Sequence, residues 1–161
     1  MIPWKPTVVA GLVLILAALA GLGGCAGRRP PPAPRPSADA RALLGTAHSQ
    51  LGTPYRYGGE SPETGFDCSG FTRWVYGRHG VSLPRRSRDQ KHAGNKVPKR
   101  DLKEADLVFF HVDRKGSLHV GIYAGDENFI HSPSSGGRIR KDSLRQRYWE
   151  RSFLEGRRIL P

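Results

Sequence analysis

Hydrophobic positions first recur at helical spacing in Ala40, Leu43, Leu44, Ala47 and Leu51, which predicts a helix with Ser37 as its N-cap and Gly52 and Pro54 as its stop. From Tyr55 to Gly65 glycines are too dense for regular structure, and the stretch reads as a loop. Asp67 then caps a second helix, with Phe71, Trp74 and Val75 on its apolar side and its end near Gly80. A polar patch, helical or irregular, covers Ser87 to Gly94, and beyond it the period changes. Leu107-Val108-Phe109-Phe110-His111-Val112 is a near-continuous apolar run, as in a strand buried on both faces. In Leu118-His119-Val120-Gly121-Ile122-Tyr123 the even positions are Leu, Val and Ile, so they face the core and His119 points the other way. Gly125-Asp126 turns the chain into a further strand, Glu127 to His131.

The register of these last two strands is constrained. If Ile130 shares the core face with Val120, paired positions must sum to an even number, because a slip of one residue flips every side chain. A three-residue loop, Ala124-Gly125-Asp126, meets that condition. It sets Val120 opposite Ile130 and His119 directly opposite His131, with Cβ atoms roughly 5 Å apart on the non-core face. Facing histidines are not a usual way to stabilise a sheet, so a polar site is expected there; two unrelated half-exposed strand residues would show the same periodicity.

The chain has two cysteines. Cys68 falls in the first turn of the second helix, where unpaired backbone N–H groups and the helix dipole favour an anion and should lower the thiol pKa. A buried small hydrophobe is the plain alternative. A thiolate at a helix start attacks a carbonyl, a neighbouring imidazole exchanges its proton, and a third polar group holds that imidazole in one tautomer. Cys68, His119 and His131 fit these roles, with the first amides of the helix, and the Tyr55 hydroxyl, available to a developing oxyanion.

The other cysteine belongs to a different segment. Residues 6–27 carry no charge, Lys5 precedes the apolar run Val8 to Ala20, and Leu22-Gly23-Gly24-Cys25 resembles a bacterial lipobox. An uncleaved anchor is the alternative. A lipidated Cys25 leaves Cys68 without a disulfide partner. Ala26 after the cysteine, as in similar Gram-negative lipoproteins, favours the outer membrane. Residues 1–24 are thus expected to be a signal peptide. Residues 25–37, with Arg28-Arg29-Pro30-Pro31-Pro32, form a proline-rich tether at about 3.1 Å per residue. Residues 38–161 are one domain. Removing Lys5, Arg28, Arg29 and Arg35 from 26 basic residues leaves 22 against 14 acidic ones, so that domain carries +8. Such a surface prefers polyanions, and for an exported protein these are wall polymer and lipid head groups. The basic clusters are short and carry no nucleic-acid motif, so no nucleic-acid partner is expected.

Taken together, Gly52-Thr53-Pro54-Tyr55-Arg56-Tyr57-Gly58-Gly59, Asp67-Cys68-Ser69-Gly70-Phe71, Leu83-Pro84-Arg85-Arg86-Ser87-Arg88-Asp89-Gln90, Asp106-Leu107-Val108-Phe109-Phe110, His119-Val120-Gly121-Ile122-Tyr123 and Phe129-Ile130-His131 resemble, in order, the motifs of NlpC-type cell-wall peptidases. The layout is similar to the murein endopeptidase lipoproteins of Gram-negative bacteria. The resemblance implies an α+β, papain-like fold, an antiparallel β-sheet packed against helices with the nucleophile at a helix N-terminus. It implies a monomeric cysteine peptidase that cuts peptidoglycan stem peptides or cross-links, as a D,L- or D,D-endopeptidase, through a thioester acyl-enzyme. Its place would be the envelope, lipid-anchored through Cys25 and facing the periplasm. The roles it implies are Cys68 as nucleophile, His119 as base and acid, His131 as orienting group and Tyr55 beside the oxyanion. Asp67, Ser69 and Ser87 would line the substrate pocket. Asp67 would take a free stem-peptide amine and Arg85 a substrate carboxylate, a solvent-facing arginine being the alternative. No cofactor is implied. Two departures stand out: Ala105 where the family usually has glycine, and the length of the Asp113 to Ser117 loop.

Two rival classes use the same residues. A non-catalytic wall-binding lipoprotein would not need a nucleophile. A zinc site built from Cys68, His111, His119 and His131 matches no compact zinc spacing. His48, His79 and His92 read as surface histidines, and Trp149 and Phe153 as cover for the core.

Overall fold

The computed structural model describes Met1 and residues 38–112, 117–134 and 137–161. The signal segment, Cys25, the tether, the Ser37 cap and loop residues 113–116 lie outside the described residues. Every element below belongs to the unit Arg35–Pro161.

The first helix, α1 (Ala38–Ser49), buries Ala40, Leu43, Leu44 and Ala47 as their spacing predicts. Leu51 does not follow them and is 44% exposed. The helix end tightens into three-residue steps, Gln50 N–H to the Ala47 carbonyl and Leu51 N–H to the His48 carbonyl, which turns Leu51 off the apolar stripe. The glycine-rich stretch holds more order than expected, because β1 (Glu60–Ser61) and β2 (Gly65–Phe66) pair as a short antiparallel hairpin.

Helix α2 (Cys68–Gly77) starts where the sequence places it. Asp67 has extended backbone, and its side chain accepts the Gly70 N–H at 2.7 Å. Phe71, Thr72, Val75 and Tyr76 are buried. The polar patch forms one turn, α3 (Ser87–Gln90). Its Gln90 is fully buried: it accepts from Thr72 Oγ1 at 2.8 Å and donates to the carbonyls of Ser69 and Pro84, which ties the patch to α2. His79 is no plain surface residue, since its Nε2 meets Thr46 Oγ1 at 2.8 Å and links α2 to α1.

Strands β3 (Asn95–Val97), β4 (Leu107–His111), β5 (Leu118–Tyr123), β6 (Asn128–His131), β7 (Arg140–Ser143) and β8 (Phe153–Arg158) make one sheet, antiparallel throughout, in the order β3-β8-β4-β5-β6-β7. The class is α+β with the papain-like arrangement, a sheet packed on the helix that begins at Cys68. Leu107, Phe109, Val120, Ile122 and Ile130 pack against α1 and α2. Val108, Phe110 and Phe129 point to the opposite face, where Leu144 and Trp149 of the short helix α4 (Arg147–Ser152) region cover them. Two covered faces explain the unbroken apolar run of β4. They also correct the expectation that His119 and His131 lie on a non-core face, since that face carries a second, smaller core.

The β5–β6 register differs from the expected one. Ile122 pairs with Ile130 and Tyr123 with Phe129, so paired positions sum to 252 and not to 250. The parity survives, and with it the faces, but Val120 does not oppose Ile130, nor does His119 oppose His131. The loop has the expected three residues shifted by one position, Gly125, Asp126 and Glu127, closed by Ala124 N–H to the Asn128 carbonyl. All three take left-handed backbone, with φ of 83°, 50° and 58°. Continuing that register places His131 opposite Gly121, with His119 on the diagonal. Ala105 sits at φ 68°, the left-handed conformation that glycine adopts more easily, which gives the departure noted in the sequence its physical content.

Candidate active site

The site forms where α2 begins beside the first residues of β5. Cys68 is half-buried, its sulfur set against the backbone of Val120. Burial pushes the thiol up to about 11; the Val120 N–H opposes this, the nearby Asp67 charge adds to it, and the Ser69 and Cys68 N–H groups pull it down. The helix start alone suggests a lowered pKa. Desolvation of a thiolate outweighs those backbone dipoles, so the thiol is protonated at neutral pH.

His119 is 2% exposed and His131 is fully buried. Their rings meet edge to face, with His119 Nε2 2.8 Å from His131 Nδ1. The diagonal placement goes with a glycine at 121, against which Phe129 and His131 pack too closely for a side chain. A Cβ at Gly121 would lie 2.8 Å from Phe129 Cδ2 and 3.1 Å from His131 Cβ. Burial pushes His119 down to about 3, helped by His131 and Arg140 and opposed by Asp142. Burial also lowers His131, against the pull of Asp142. Both imidazoles are therefore neutral.

The relay does not stop at His131. Its Nε2 lies 3.0 Å from Asp142 Oδ2, on β7, and the same oxygen accepts Trp149 Nε1–H at 3.1 Å and Arg140 Nε–H at 3.1 Å. The His131 hydrogen bond, opposed by burial and aided by Arg140, holds the Asp142 carboxyl at about 2. Sequence reasoning missed Asp142, which adjoins the basic run Arg138 to Lys141. The signal was alternation: Ile139 is buried on the α1 and α2 side, so Arg140 and Asp142 fall on the histidine side. Trp149 covers the core as expected, and stacks on His119 at 5.6 Å.

The remaining residues surround one cleft of about 1390 Å³, lined by Tyr55, Asp67, Cys68, Ser69, Arg85, Ser87 and His119 among others. His131 is behind the wall, not on it. Tyr55 lines the same cleft as Cys68 and Asp67, and burial, followed by the charges of Cys68 and Asp67, raises its pKa. Ser87 Oγ donates to the Leu118 carbonyl at 3.2 Å. Asp67 and Arg85 are engaged with each other: Arg85 Nη1 and Nη2 reach Asp67 Oδ1 at 3.0 Å and Oδ2 at 2.6 Å. Nη1 also donates to Ser69 Oγ at 3.1 Å, and Nε binds Glu60. Arg85 is thus not a solvent-facing arginine. An amine arriving at Asp67 would compete with a bidentate guanidinium and with the N–H groups of Gly58 and Gly70. His111 is exposed and alternates with Phe110, so it leaves the histidine face, and among the described residues no three His, Cys, Asp or Glu side chains group as a metal site.

Residues 52–158 match the NlpC/P60 family. The chain is similar to murein DD-endopeptidase MepH of Escherichia coli K12, 41% identical over 115 residues, covering 69% of this chain and 42% of that protein. It is similar to Probable endopeptidase NlpC of the same organism, 38% identical over 154 residues, covering 92% of this chain and 97% of that protein. Among solved structures, an NlpC/P60 family protein from Bacillus cereus superposes with a TM-score of 0.72 at 41% identity, over 80% of this chain and 42% of that one. The chain thus spans under half the length of two of these three relatives and nearly all of the third.

Proposed function

The chain belongs to the NlpC/P60 family, and we propose that it is a monomeric peptidoglycan endopeptidase using Cys68 as nucleophile, His119 as base and acid and His131 as the orienting group. One observation carries the reading: a thiol at a helix start shares a cleft with a buried imidazole whose far nitrogen is held at 2.8 Å by a second imidazole. A wall-binding module has no use for that arrangement.

The resting site is uncharged at sulfur and at both rings, so attack and proton transfer proceed together. As the sulfur bonds to the amide carbon, His119 Nδ1 takes the thiol proton. The Cys68 and Ser69 N–H groups, in the first turn of α2, meet the developing oxyanion, with Tyr55 lining the same cleft. Collapse expels the amine, which leaves with the proton from His119, and a thioester remains. Water, deprotonated by His119, then releases the acid and restores the thiol.

Ser87 and the Asp67–Arg85 pair shape the wall where substrate backbone and carboxylate groups would lie. The bond cut is either within one stem, between D-glutamate and a diamino acid, or across a link from D-alanine to that acid. The lipid anchor at Cys25, with outer-membrane placement, belongs to the same proposal and rests on the amino-terminal sequence. The test is mass spectrometry of purified sacculi treated with the wild-type chain and with Cys68→Ala. Fragments with new termini from wild type alone are expected, and their masses identify the bond; release of nothing by either protein, while both pellet with sacculi, would move the wall-binding reading ahead.

A further inference from the structure

We propose that Asp142 is the positioning residue that fixes every proton in the relay, so that a carboxylate two side chains away decides which nitrogen of His119 acts as the base. The inference rests on the endopeptidase reading only for its kinetic consequences. Its structural basis is independent of substrate.

Trp149 Nε1–H and the Arg140 guanidinium can only donate, and both aim at Asp142 Oδ2. That oxygen is therefore an acceptor toward its third neighbour, His131 Nε2, 3.0 Å away, and the proton must sit on Nε2. A neutral His131 protonated there offers a lone pair at Nδ1. The 2.8 Å contact then requires a proton on His119 Nε2 and leaves the lone pair on His119 Nδ1, the atom that must accept from the thiol. Solvent is kept from the two rings, since His131 is fully buried and His119 is 2% exposed, and only the Asp142 end of the chain, 12% exposed, borders the open cleft. Reversing any one bond would put a proton on His119 Nδ1 and remove the base.

Trp149 also supplies a way to separate acceptor from charge. In Asp142→Asn the indole N–H favours the amide oxygen at the Oδ2 position, with the amide nitrogen turned to Arg140, whose side chain is 49% exposed and free to move aside. That variant keeps the acceptor and loses the charge. Asp142→Ala loses both.

The experiment uses the full chain with 15N-labelled histidine, comparing wild type, Asp142→Asn and Asp142→Ala by the ring nitrogen shifts of His119 and His131 and by kcat and KM on a purified cross-linked muropeptide. Wild type and Asp142→Asn are expected to show both rings protonated at Nε2. Asp142→Ala should show His131 with substantial Nδ1 protonation, and kcat lower on the order of 100-fold, with KM within about twofold. Asp142→Asn should recover kcat to within about tenfold of wild type, the remaining loss coming from removal of a carboxylate charge that favours a proton on His119. His131 remaining Nε2-protonated in Asp142→Ala, wild-type kcat in that variant, or Asp142→Asn no better than Asp142→Ala would each overturn the assignment. If wild type itself cleaves nothing, the endopeptidase reading fails, while the ring spectra still decide the role of Asp142.

Discussion

Gly121→Ala tests whether the histidine pair depends on a missing side chain. Gly121 has no left-handed backbone, so alanine meets no conformational penalty there, and in an open site it would stabilise by about 0.4–1 kcal/mol through the unfolded chain. The site is not open. The new Cβ would lie 2.8 Å from Phe129 Cδ2, 3.0 Å from the Ile130 carbonyl oxygen and 3.1 Å from His131 Cβ, where ordinary contact begins at 3.4 Å. The Phe129 ring is enclosed by Phe110, His131 and Trp149, with centroids 4.8–5.0 Å away, and the Ile130 oxygen belongs to the paired strand. The relief must come largely from moving β6, and His131 with it, by several tenths of an ångström. Overpacking of this kind costs about 1–3 kcal/mol, so the net change should be a loss of about 0–2.6 kcal/mol in urea unfolding. Catalysis should suffer more, because the 2.8 Å bond that orients His119 is stretched: kcat is expected to fall on the order of 100-fold, with KM little changed. Wild-type kcat in a folded Gly121→Ala protein would refute the claim that Gly121 makes room for the pair.

Three further outcomes follow from the charges. With His119 pushed down to about 3 and Cys68 up to about 11, kcat/KM should stay level through neutral pH, with its acid limb below the ordinary imidazole range; an acid limb at or above about pH 6.5 would instead indicate an ordinary solvated imidazole, and an alkaline limb between about pH 7 and 9 a preformed thiolate–imidazolium pair. The same burial acts on stability. His119 and His131 have folded pKa values below their unfolded ones, so the unfolded chain binds more protons and stability falls as pH drops from about 6.5, by up to about 1.4 kcal/mol per pH unit for each ring. Urea midpoints flat across that window would contradict burial of the neutral rings. Arg85→Ala removes the bidentate partner of Asp67, whose carboxyl burial pushes up and Arg85, with the Gly70 N–H and Ser69 hydroxyl, holds below its usual value. A loss of about 1–3 kcal/mol is expected by denaturation, less than for a fully buried pair because the Arg85 side chain is 30% exposed, and unchanged stability would show the clasp to be idle.

Local rules on the chain reached a good part of this site. An aspartate before a cysteine and an apolar helical stripe suffice to place Cys68 at a helix start, because capping and amphipathicity act within a few residues. Strand parity, a property of the backbone repeat, put His119 and His131 on one face whatever their exact partners. Which residues oppose each other was not local. It turned on three consecutive left-handed residues, of which Glu127 gives no warning, and on the space left by Gly121. Asp142 joined the relay only through the pairing of β7 with β6, set by the whole sheet. The thiol's pKa was decided in the same way, since a helix start is written in sequence, while the burial that overrides it exists only when β5 packs against α2. The sequence by itself determined the chemistry available and the faces on which it lies; distance, burial and proton position came from tertiary packing, because they depend on atoms far apart along the chain.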